Sequence, residues 1–391
     1  MIKIVLFLFM ALLAPASGNG AQDQGLTAPQ EGSGPEAEAR EWQRMKSIAK
    51  YGYIDRTGKI VIPPRFDDAG KFSEGRADVR IDGKWGYVDK EGVVVVRPQF
   101  IRQHLRKWSG YSGDFSEGLA VVQVSENGLF GFIDRSGSQV IPLKFTGVLD
   151  FSQGLAQATM DPNREKIGFI NKKGDWVIPP QFLDATGFSE DLAAVLLGEE
   201  GGDKWGYIDR NGTMVIPPRF EMASQFREGL ATVDIGGDSA FIDKQGQVVI
   251  KARPGFYRFD LFSQGRAAFH TSPHRTVTGK MGFMDKTGKV VIPPQFDYVY
   301  WFFEGLAAVE IDEKTGFIDR SGKMVIPPQF RSAGHFSEGL VNIEDNRGMH
   351  GYIDKTGRIV IEPKFLAAGP FSEGLAPVQL IPEKEGRGKA R

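Results

Sequence analysis

The sequence predicts an all-β protein made of tandem three-stranded β-repeats stacked as a solenoid or superhelix. Three observations support this class: a phased repeat, turn-forming residues at fixed places in each copy, and phenylalanines that recur in register. The 391 residues include 49 Gly, 22 Pro and 29 Phe, and 41% are hydrophobic, which is enough to build a folded core. A closed propeller-like ring of nine units is the alternative. Unequal unit lengths favour the open stack.

One unit occurs nine times. It begins with Gly-aromatic-Ile-Asp-x-x-Gly, continues through an apolar run that ends in Pro, and leads through a Phe to Phe-Ser-Glu-Gly or a close variant. Successive units begin 34 to 45 residues apart, at Gly52, Gly86, Gly131, Gly168, Gly206, Ala240, Gly282, Gly316 and Gly351. A fixed period of this size is typical of repeat proteins in which each copy is one supersecondary unit.

Local chemistry assigns each part of the unit to a strand or a turn. Asp-x-x-Gly, as in residues 55–58, suits a type I turn with a G1 bulge, because Asp caps the turn and Gly accepts a positive φ. Residues 59–62 form the return strand, and Pro63 and Pro64 are expected to end it because neither can donate to a ladder. Ser-Glu-Gly is a second turn, in which Gly supplies the positive φ. Gly86, inside a strand, is expected to let a neighbouring ring approach the backbone.

Two columns of phenylalanine are predicted to form the core. The first is Phe66, Phe100, Phe145, Phe182, Phe220, Phe256, Phe296, Phe330 and Phe365, and the second is Phe72, Phe115, Phe151, Phe188, Phe226, Phe262, Phe302, Phe336 and Phe371. Burying a Phe side chain contributes roughly 1.5–3 kcal/mol. Three strands cannot bury such a face alone, so neighbouring units must pack on one another.

The N-terminus has the pattern of a secretory signal peptide. Lys3 precedes the apolar run 4–14, which is shorter than the about 20 residues that span a bilayer, and Ala14-Pro15-Ala16 is a cleavage site of the A-x-A type. We predict a signal peptide over 1–16 and an exported protein, periplasmic or extracellular. Residues 17–50 form a flexible linker with a short capping helix over 36–50, 51–380 hold the nine repeats, and 381–391 form a mobile charged tail. No integral membrane segment is expected after cleavage.

The repeat resembles the WG, or KWG, β-repeat family. Lys84-Trp85-Gly86-Tyr87 and Lys204-Trp205-Gly206-Tyr207 carry its Trp-Gly signature, and the phased Ile-Pro-Pro and Phe-Ser-Glu-Gly segments strengthen the match over residues 51–380. The Trp is replaced in other units by Tyr51, Phe130, Ile167, Met281, Thr315 and His350, and Ala240 replaces the Gly. The resemblance implies a β-rich repeat scaffold, commonly exported or envelope-associated, and transfers no catalytic residue.

Composition and motifs argue against most catalytic, metal-binding and nucleic-acid-binding functions. The absence of Cys excludes disulfides and thiolate sites, and a net charge of -1 gives no global field for nucleic acid. No phosphate-binding loop or HExxH motif occurs. The recurrent Ser suits a turn and the recurrent Asp suits turn capping, which we favour over a nucleophile and over Ca²⁺ binding. His270 and His274 flank Pro273, which argues against a shared metal. We therefore predict no catalytic residue, no metal and no cofactor.

Two irregular units carry the candidate binding residues. Insertions in a repeat array map to loops, often on the binding face. Both long units mix basic and aromatic side chains, which could contact an acidic glycan, peptidoglycan carboxylates or a protein. Solvated loops are the simpler interpretation of the same residues. The candidate residues are Arg102, Arg106, Lys107, Trp108, Tyr111, Tyr257 and Arg258.

These observations favour an exported, non-enzymatic repeat scaffold that binds a protein or an envelope glycan across an extended surface, and not nucleic acid. The alternative function is a carbohydrate-active or other hydrolase, in which acidic residues from different units converge in a groove. The sequence leaves the oligomeric state open.

Overall fold

The computed structural model describes residues 35–102, 113–126, 128–163, 165–198, 202–272 and 279–381. The chain divides into two compact units, residues 1–47 and 48–391. The helix α1 (Pro35–Ile48) lies where the sequence predicts a helix over 36–50. Within the described ranges, no helix combines the length and the apolar character that crossing a membrane requires.

All other regular elements are β-strands. In chain order they are β1 (Tyr51–Asp55), β2 (Ile60–Phe66), β3 (Asp68–Ala69), β4 (Ala77–Ile81), β5 (Lys84–Val88), β6 (Val94–Phe100), β7 (Leu119–Gln123), β8 (Phe130–Asp134), β9 (Gln139–Phe145), β10 (Gly147–Val148), β11 (Ala156–Thr159), β12 (Ile167–Ile170), β13 (Trp176–Phe182), β14 (Asp184–Ala185), β15 (Ala193–Leu197), β16 (Lys204–Ile208), β17 (Met214–Phe220) and β18 (Met222–Ala223). The remaining strands are β19 (Ala231–Ile235), β20 (Asp238–Ile242), β21 (Val248–Lys251), β22 (Arg258–Phe259), β23 (Ala267–His270), β24 (Met281–Met284), β25 (Val290–Phe296), β26 (Tyr298–Val299), β27 (Leu306–Ile311), β28 (Lys314–Asp319), β29 (Met324–Phe330), β30 (Ser332–Ala333), β31 (Leu340–Glu344), β32 (His350–Asp354), β33 (Ile359–Phe365), β34 (Ala367–Ala368) and β35 (Leu375–Gln379).

These strands form the nine blades of a closed β-propeller. Blade 1 has the order β34-β35-β1-β2, blade 2 is β3–β6, blade 3 is β7–β9, and blades 4 to 9 take four consecutive strands each, from β10–β13 to β30–β33. Blade 1 closes the ring, because the C-terminal β35 pairs antiparallel with β1 over five residues from Tyr51 to Asp55. The predicted open solenoid is therefore wrong, and the closed ring is the architecture.

Each repeat is divided between two blades. The first two long strands of a repeat, such as β1 and β2, form the outer half of one sheet, and the rest, β3 and β4, begin the next sheet. A fourth strand of two residues, for example Asp68–Ala69, lies at the inner edge in the eight four-stranded blades. The three-strand prediction missed this strand because two residues carry no periodicity that could reveal it.

The inner turns join neighbouring blades in a continuous circle. At each Ser-Glu-Gly, both central residues have positive φ, such as 53° at Glu74 and 77° at Gly75, which defines a type I′ turn. The Glu or Gln side chain accepts a hydrogen bond from a backbone N–H in the next such turn. The nine donor and acceptor pairs are Gly118 to Glu74, Gly154 to Glu117, Asp191 to Gln153, Gly229 to Glu190, Gly265 to Glu228, Gly305 to Gln264, Gly339 to Glu304, Gly374 to Glu338 and Gly75 to Glu373.

The recurrent serines add a second connection between blades. The hydroxyl of Ser73 donates to the carbonyl of Phe115 at 2.7 Å, and that of Ser372 donates to Phe72 at 2.7 Å across the ring closure. Arg227 and Phe303 replace Ser in two units. The Ser column therefore has a structural role, as the turn interpretation anticipated.

The phenylalanine columns form the core between blades, as predicted. All nine residues of the second column are at most 3% exposed, and in the first column Phe256 alone is only partly buried. Rings of the second column pack on the aromatic strand position, as in Tyr53 with Phe72 at a centroid distance of 5.0 Å. Such tilted pairs contribute about 0.5–1.5 kcal/mol beyond area burial.

Two sequence predictions are wrong: the ring contact expected at the glycine after the Trp position, and the strand end expected at the paired prolines. A Cβ on Gly86 would lie 2.4 Å from the backbone oxygen of Val96. The neighbour that approaches is therefore a bulged outer strand and not an aromatic ring. The equivalent strand of blade 1, β2, is not ended by Pro63 and Pro64 but continues through them to Phe66, because the outermost strand of a sheet tolerates residues that cannot donate.

We predict that Gly206→Ala will destabilise the protein by roughly 1–3 kcal/mol, because its Cβ would meet the Ile216 oxygen at 2.6 Å. Ala240→Gly is the matched control in the same column, and it should cost at most about 1 kcal/mol. Urea unfolding of both variants measures the difference. Equal stability would contradict the backbone-contact account.

Candidate functional site

Three of the seven predicted binding residues lie in the described part of the chain. Arg102 contacts blade 2, whereas Tyr257 and Arg258 lie at the inner strand of blade 7. The structure therefore does not bring the two segments together. Arg106, Lys107, Trp108 and Tyr111 lie outside the described residues, and the binding role of all seven stays a prediction.

Both insertions arise at the same end of the propeller. Phe100, at the end of β6, pairs with Trp85, and His270, at the end of β23, pairs with Met281. Trp85 and Met281 occupy the same column of the repeat. The two irregular units thus extend from one end of the ring, although from different blades.

Arg102 is held by a buried carboxylate. Its Nη2 lies 2.5 Å from Oδ2 of Asp78, and its guanidinium carbon lies 4.0 Å from the centroid of the Trp85 ring. Burial raises the pKa of Asp78 to about 6, against the opposing effect of Arg102. This cluster ties the start of the first insertion to blade 2.

We predict a pH-dependent contribution from Asp78 to stability. The pKa of Asp78 is raised in the folded state, so the folded protein binds this proton more tightly than the unfolded chain does. The resulting stabilisation is complete below about pH 4 and is lost as the pH rises through 6. Two units of pKa correspond to about 3 kcal/mol. The measurement is the difference in free energy of unfolding between the native protein and Asp78→Asn. This difference should fall by about 3 kcal/mol between pH 4 and 7. A difference that does not change with pH would contradict the prediction.

A cleft of about 710 Å³ opens between the outer parts of blades 5 and 6. Its wall combines Arg219 of β17 with side chains of β20, β21 and the turn that joins them, including Gln245, Gln247 and Lys251. Exposed Ile235 and Val248 add apolar surface. We call this site the outer cleft.

The outer cleft lies where the repeat departs from its own pattern. Ser239-Ala240 stands at the Trp-Gly positions, and Lys251-Ala252 stands where every other unit has at least one Pro. Ser239 is far smaller than the Trp205 side chain of the preceding unit. Without the prolines, Ala240 pairs with Lys251 and Phe241 with Ile250 in regular register. The pair keeps one register shift, between Phe241 and Ile242, and lacks the one at the preceding position that other blades show, which explains why Ala is tolerated at position 240.

The backbone of Lys251 points away from its own sheet. Ala252 donates to the Ser239 oxygen at 2.9 Å, so Ala240 and Lys251 form a non-hydrogen-bonded pair. The N–H and C=O of Lys251 are then directed to the other side of β21, which is the outermost strand of blade 6. In six other units this position is Pro, as at Pro63 and Pro217, which cannot donate.

A second cleft, of about 510 Å³, is lined by aromatic residues at the inner strands of blades 7 to 9. We call it the aromatic cleft. Tyr300 is 41% and Trp301 37% exposed. The lining residues are Asp260, Tyr298, Val299, Tyr300, Trp301, Phe303, Ala333, Gly334 and His335.

The rings of the aromatic cleft are held by one another and by one carboxylate. Tyr298 and Tyr300 have centroids 4.9 Å apart at 66°, and Phe303 and His335 have centroids 4.3 Å apart. The Tyr300 hydroxyl donates to Glu310 at 2.9 Å. The paired rings therefore form a cleft whose shape is set before a ligand arrives.

Charged groups of both signs lie at or beside the aromatic cleft. Its described lining contains the carboxylate of Asp260 and no Lys or Arg. Burial, followed by the charge of Lys71, lowers the pKa of His335 from its usual value, so the imidazole is mostly neutral at pH 7. Aromatic faces carry negative potential. Cations of the chain itself also face this surface, because Arg227 lies over the Trp301 ring and Arg258 lines an adjoining cleft together with Asp260 and Trp301.

Trp301 already contacts a cation of the chain itself. The guanidinium carbon of Arg227, in blade 6, lies 4.7 Å from the Trp301 centroid. Nη1 of Arg227 is buried without a hydrogen-bond partner among the described residues. Trp301 also borders a smaller cleft of about 190 Å³, whose lining includes Arg258, one of the predicted binding residues.

The sequence contained a signal for the aromatic cleft that its analysis missed. The two residues before the second Phe column are Tyr300 and Trp301 in blade 8, whereas no other unit has Tyr, Trp or Phe at either position. Insertions are easier to detect in the sequence, because they change the length of a unit. Tyr300 and Trp301 lie in a unit of ordinary length, so they stand out only when the nine units are aligned and compared position by position.

The recurrent Asp acts in its turn. Oδ1 of Asp55 accepts from the N–H of Thr57 at 2.9 Å and of Lys59 at 3.1 Å, and the bond from the Thr57 hydroxyl is the first of several that lower the pKa of Asp55. Across the described ranges, no group of three or more His, Asp or Glu could hold a metal ion. Turn capping thus accounts for this column.

The family comparison covers most of the propeller. The profile described as "WG containing repeat" matches residues 51–85, 85–100, 130–161, 167–200, 205–237, 281–314, 316–346 and 351–380. Two longer intervals within the repeats are unmatched: 101–129, which contains β7, and 238–280, which contains β20 to β23 in blades with the usual strand order. The interval 238–280 includes most of the residues that line the outer cleft. No curated protein matches the chain.

The chain is similar to several solved structures, and the first of them shares its fold. A crystal structure of a eukaryotic initiation factor superposes with a TM-score of 0.55 at 10% identity, covering 86% of this chain and 100% of that one. BamB from Moraxella catarrhalis gives 0.41 at 10% identity, covering 80% and 96%. The designed protein Ika8 gives 0.40 at 12% identity, covering 68% and 94%.

Proposed function

Because the chain belongs to the WG-repeat family, we propose that it is an exported, non-enzymatic scaffold that binds a protein or a cell-envelope polymer over an extended surface. At the outer cleft the ligand is an extended polypeptide that adds a strand to the edge of β21. The observation that carries this proposal is the outward-facing backbone of Lys251 in the one outer strand without proline.

Strand addition needs an edge with free donors and acceptors. Backbone hydrogen bonds give such complexes affinity, and pockets for alternate side chains give them specificity. In the other eight outer strands, Pro at one or both positions blunts the edge. The outer cleft places Ile235 and Val248 beside β21, where apolar side chains of an added strand would pack.

Charge further defines the polypeptide. Lys251 is exposed, and Arg219 lies on the facing wall with its Nη2 donating to the Gly246 oxygen. Gln245 and Gln247 supply neutral donors and acceptors. The exposed carboxylate of Asp238 also lines the cleft, so the strand that fits is one whose acidic residues face Arg219 and Lys251 and whose apolar residues alternate with them.

We predict that Lys251→Pro will weaken binding of such a peptide at least tenfold, because proline removes the outward N–H and obstructs strand pairing. The probe is a peptide selected on the native protein from a random display library, and fluorescence anisotropy measures its affinity. The variant should fold, since Pro occupies this position in six other units.

Lys251→Ala is the matched control. It removes the side-chain charge and keeps the N–H, so affinity should remain within about threefold of native. Equal binding to Lys251→Pro and the native protein would refute strand addition. Failure of the library to yield any peptide competing at the outer cleft would refute the proposed ligand.

Export is tested separately. We predict that the full-length chain, expressed in a Gram-negative host, is recovered outside the cytoplasm with Ser17 as its first residue. Cell fractionation followed by N-terminal sequencing measures both. Ala16→Lys, which alters the small residue at the cleavage site, should block processing, and an uncleaved cytoplasmic native chain would contradict the prediction.

A further inference from the structure

We propose that the outer cleft binds the carboxyl-terminal end of a partner polypeptide, with the free α-carboxylate held by Arg219. This inference rests on the proposed strand addition to β21, and it adds the direction of the bound strand and the place where that strand ends. Three features of the cleft carry it: the backbone at the edge of β21, the order of charges along the cleft, and the donor capacity of Arg219.

The first feature sets the direction of the added strand. The N–H and the C=O of Lys251 face the same, outer side of β21, because Ala252 and Ser239 make the inner hydrogen bond. Antiparallel strands exchange both groups within one pair of residues, and this pairing is slightly more stable per residue than the parallel one. An antiparallel ligand strand runs opposite to β21, so it passes Lys251 first and then leads towards the turn at residues 243–247.

The second feature is the order of charges along the cleft. Among the described residues that line it, the charged ones are Arg219, Asp238 and Lys251. Asp238 begins β20 and Lys251 ends β21, and the pairing of Ala240 with Lys251 places both charges at the same end of the cleft. The two charges oppose each other there, so this end does not select a carboxylate.

Arg219 lies at the other end of the cleft. Its Nη2 donates to the oxygen of Gly246, which belongs to the turn between β20 and β21. The exposed side chains of Gln245 and Gln247 flank this glycine and are neutral. The carboxylate of the turn, Asp243, accepts from the N–H groups of Gln245 and Gln247. The last residue of an antiparallel ligand therefore meets a cation that no acidic residue of the described cleft lining opposes.

The third feature is the donor capacity of Arg219. A guanidinium carries five N–H donors, and Arg219 makes one hydrogen bond to the described part of the chain, the one to Gly246. The side chain is exposed, and its guanidinium carbon lies 5.0 Å from the centroid of the Phe220 ring, which restricts its orientation. A guanidinium held in this way can bind a carboxylate through two parallel hydrogen bonds.

The length of β21 gives the position of the ligand's last residue. The strand has four residues, Val248–Lys251, which correspond to about 13 Å of extended chain. The turn that contains Gly246 lies directly before Val248. The terminal carboxylate should therefore lie about four residues after the ligand residue that pairs with Lys251.

The probe is a library of random heptapeptides displayed with free carboxyl ends, from which binders are selected on the full chain. The best binder is synthesised as the free acid and as the carboxyl-terminal amide, and fluorescence anisotropy measures both affinities. The acid should bind about tenfold more tightly, because the amide lacks the charge that pairs with Arg219. Extension of the acid by Gly-Ser-Gly should weaken binding by a similar factor.

Arg219→Gln should remove the difference between acid and amide. Arg65→Gln is the matched control, because Arg65 makes the equivalent hydrogen bond, to Gly92, beside an outer strand that contains Pro98. Its preference for the acid should equal that of the native protein. Both variants should fold, since Gln occupies this column in four other units, at Gln99, Gln181, Gln295 and Gln329.

The outcomes separate this inference from strand addition itself. A peptide that binds equally as acid and amide, and that loses affinity in Lys251→Pro, would overturn the terminal carboxylate and leave strand addition intact. An acid preference that persists in Arg219→Gln would also overturn the inference, because another residue would then hold the carboxylate. Unchanged binding to Lys251→Pro, or no selected peptide, would refute both.

Discussion

The hydrogen bond between each inner turn and the next one is the contact on which this propeller depends. It requires an acceptor at the Glu position, and this residue adopts a positive φ that non-glycine residues rarely take. Gln153 and Gln264 substitute for Glu, and both still accept from the next turn. The constraint is therefore an oxygen at the correct place and not a negative charge. Because Glu373 reaches Gly75, the circle closes without a distinct terminal unit.

Most of the local structure could be predicted from the sequence, because its causes are local. The Asp-x-x-Gly turns, the Ser-Glu-Gly turns and the buried phenylalanines all follow from backbone preference and apolar burial. Ring closure could not be predicted, since the pairing of Tyr51 with Gln379 depends on the summed rotation between nine sheets, which no single residue encodes. The predictions for Gly86 and Pro63 were wrong for one shared reason. Both outcomes depend on how the outer strand pairs with its neighbour, and this pairing is not a property of either residue alone.

The candidate sites were only partly predictable. Insertions drew attention to Arg102 and Arg258, and the structure places Arg102 in an ion pair with Asp78 and Arg258 beside Trp301. The outer cleft results from small residues at positions 239 and 240 combined with a missing proline pair, and each of these changes alone resembles ordinary variation. Their combined effect appears only when β20 and β21 are placed in register. The aromatic cleft likewise requires three blades to be neighbours.

The inner circle also explains why the departures from the repeat are tolerated. Blade 6 lacks the Trp-Gly pair and the prolines, yet Gly229 still donates to Glu190 and Gly265 to Glu228 on either side of it. Phe226 of blade 6 and Phe262 of blade 7 remain fully buried. The outer strand and the residues that precede the Phe column are therefore free to change, since neither carries the contacts that close the ring. The two clefts arise at these two places because the contacts that maintain the fold are confined to the turn and the core.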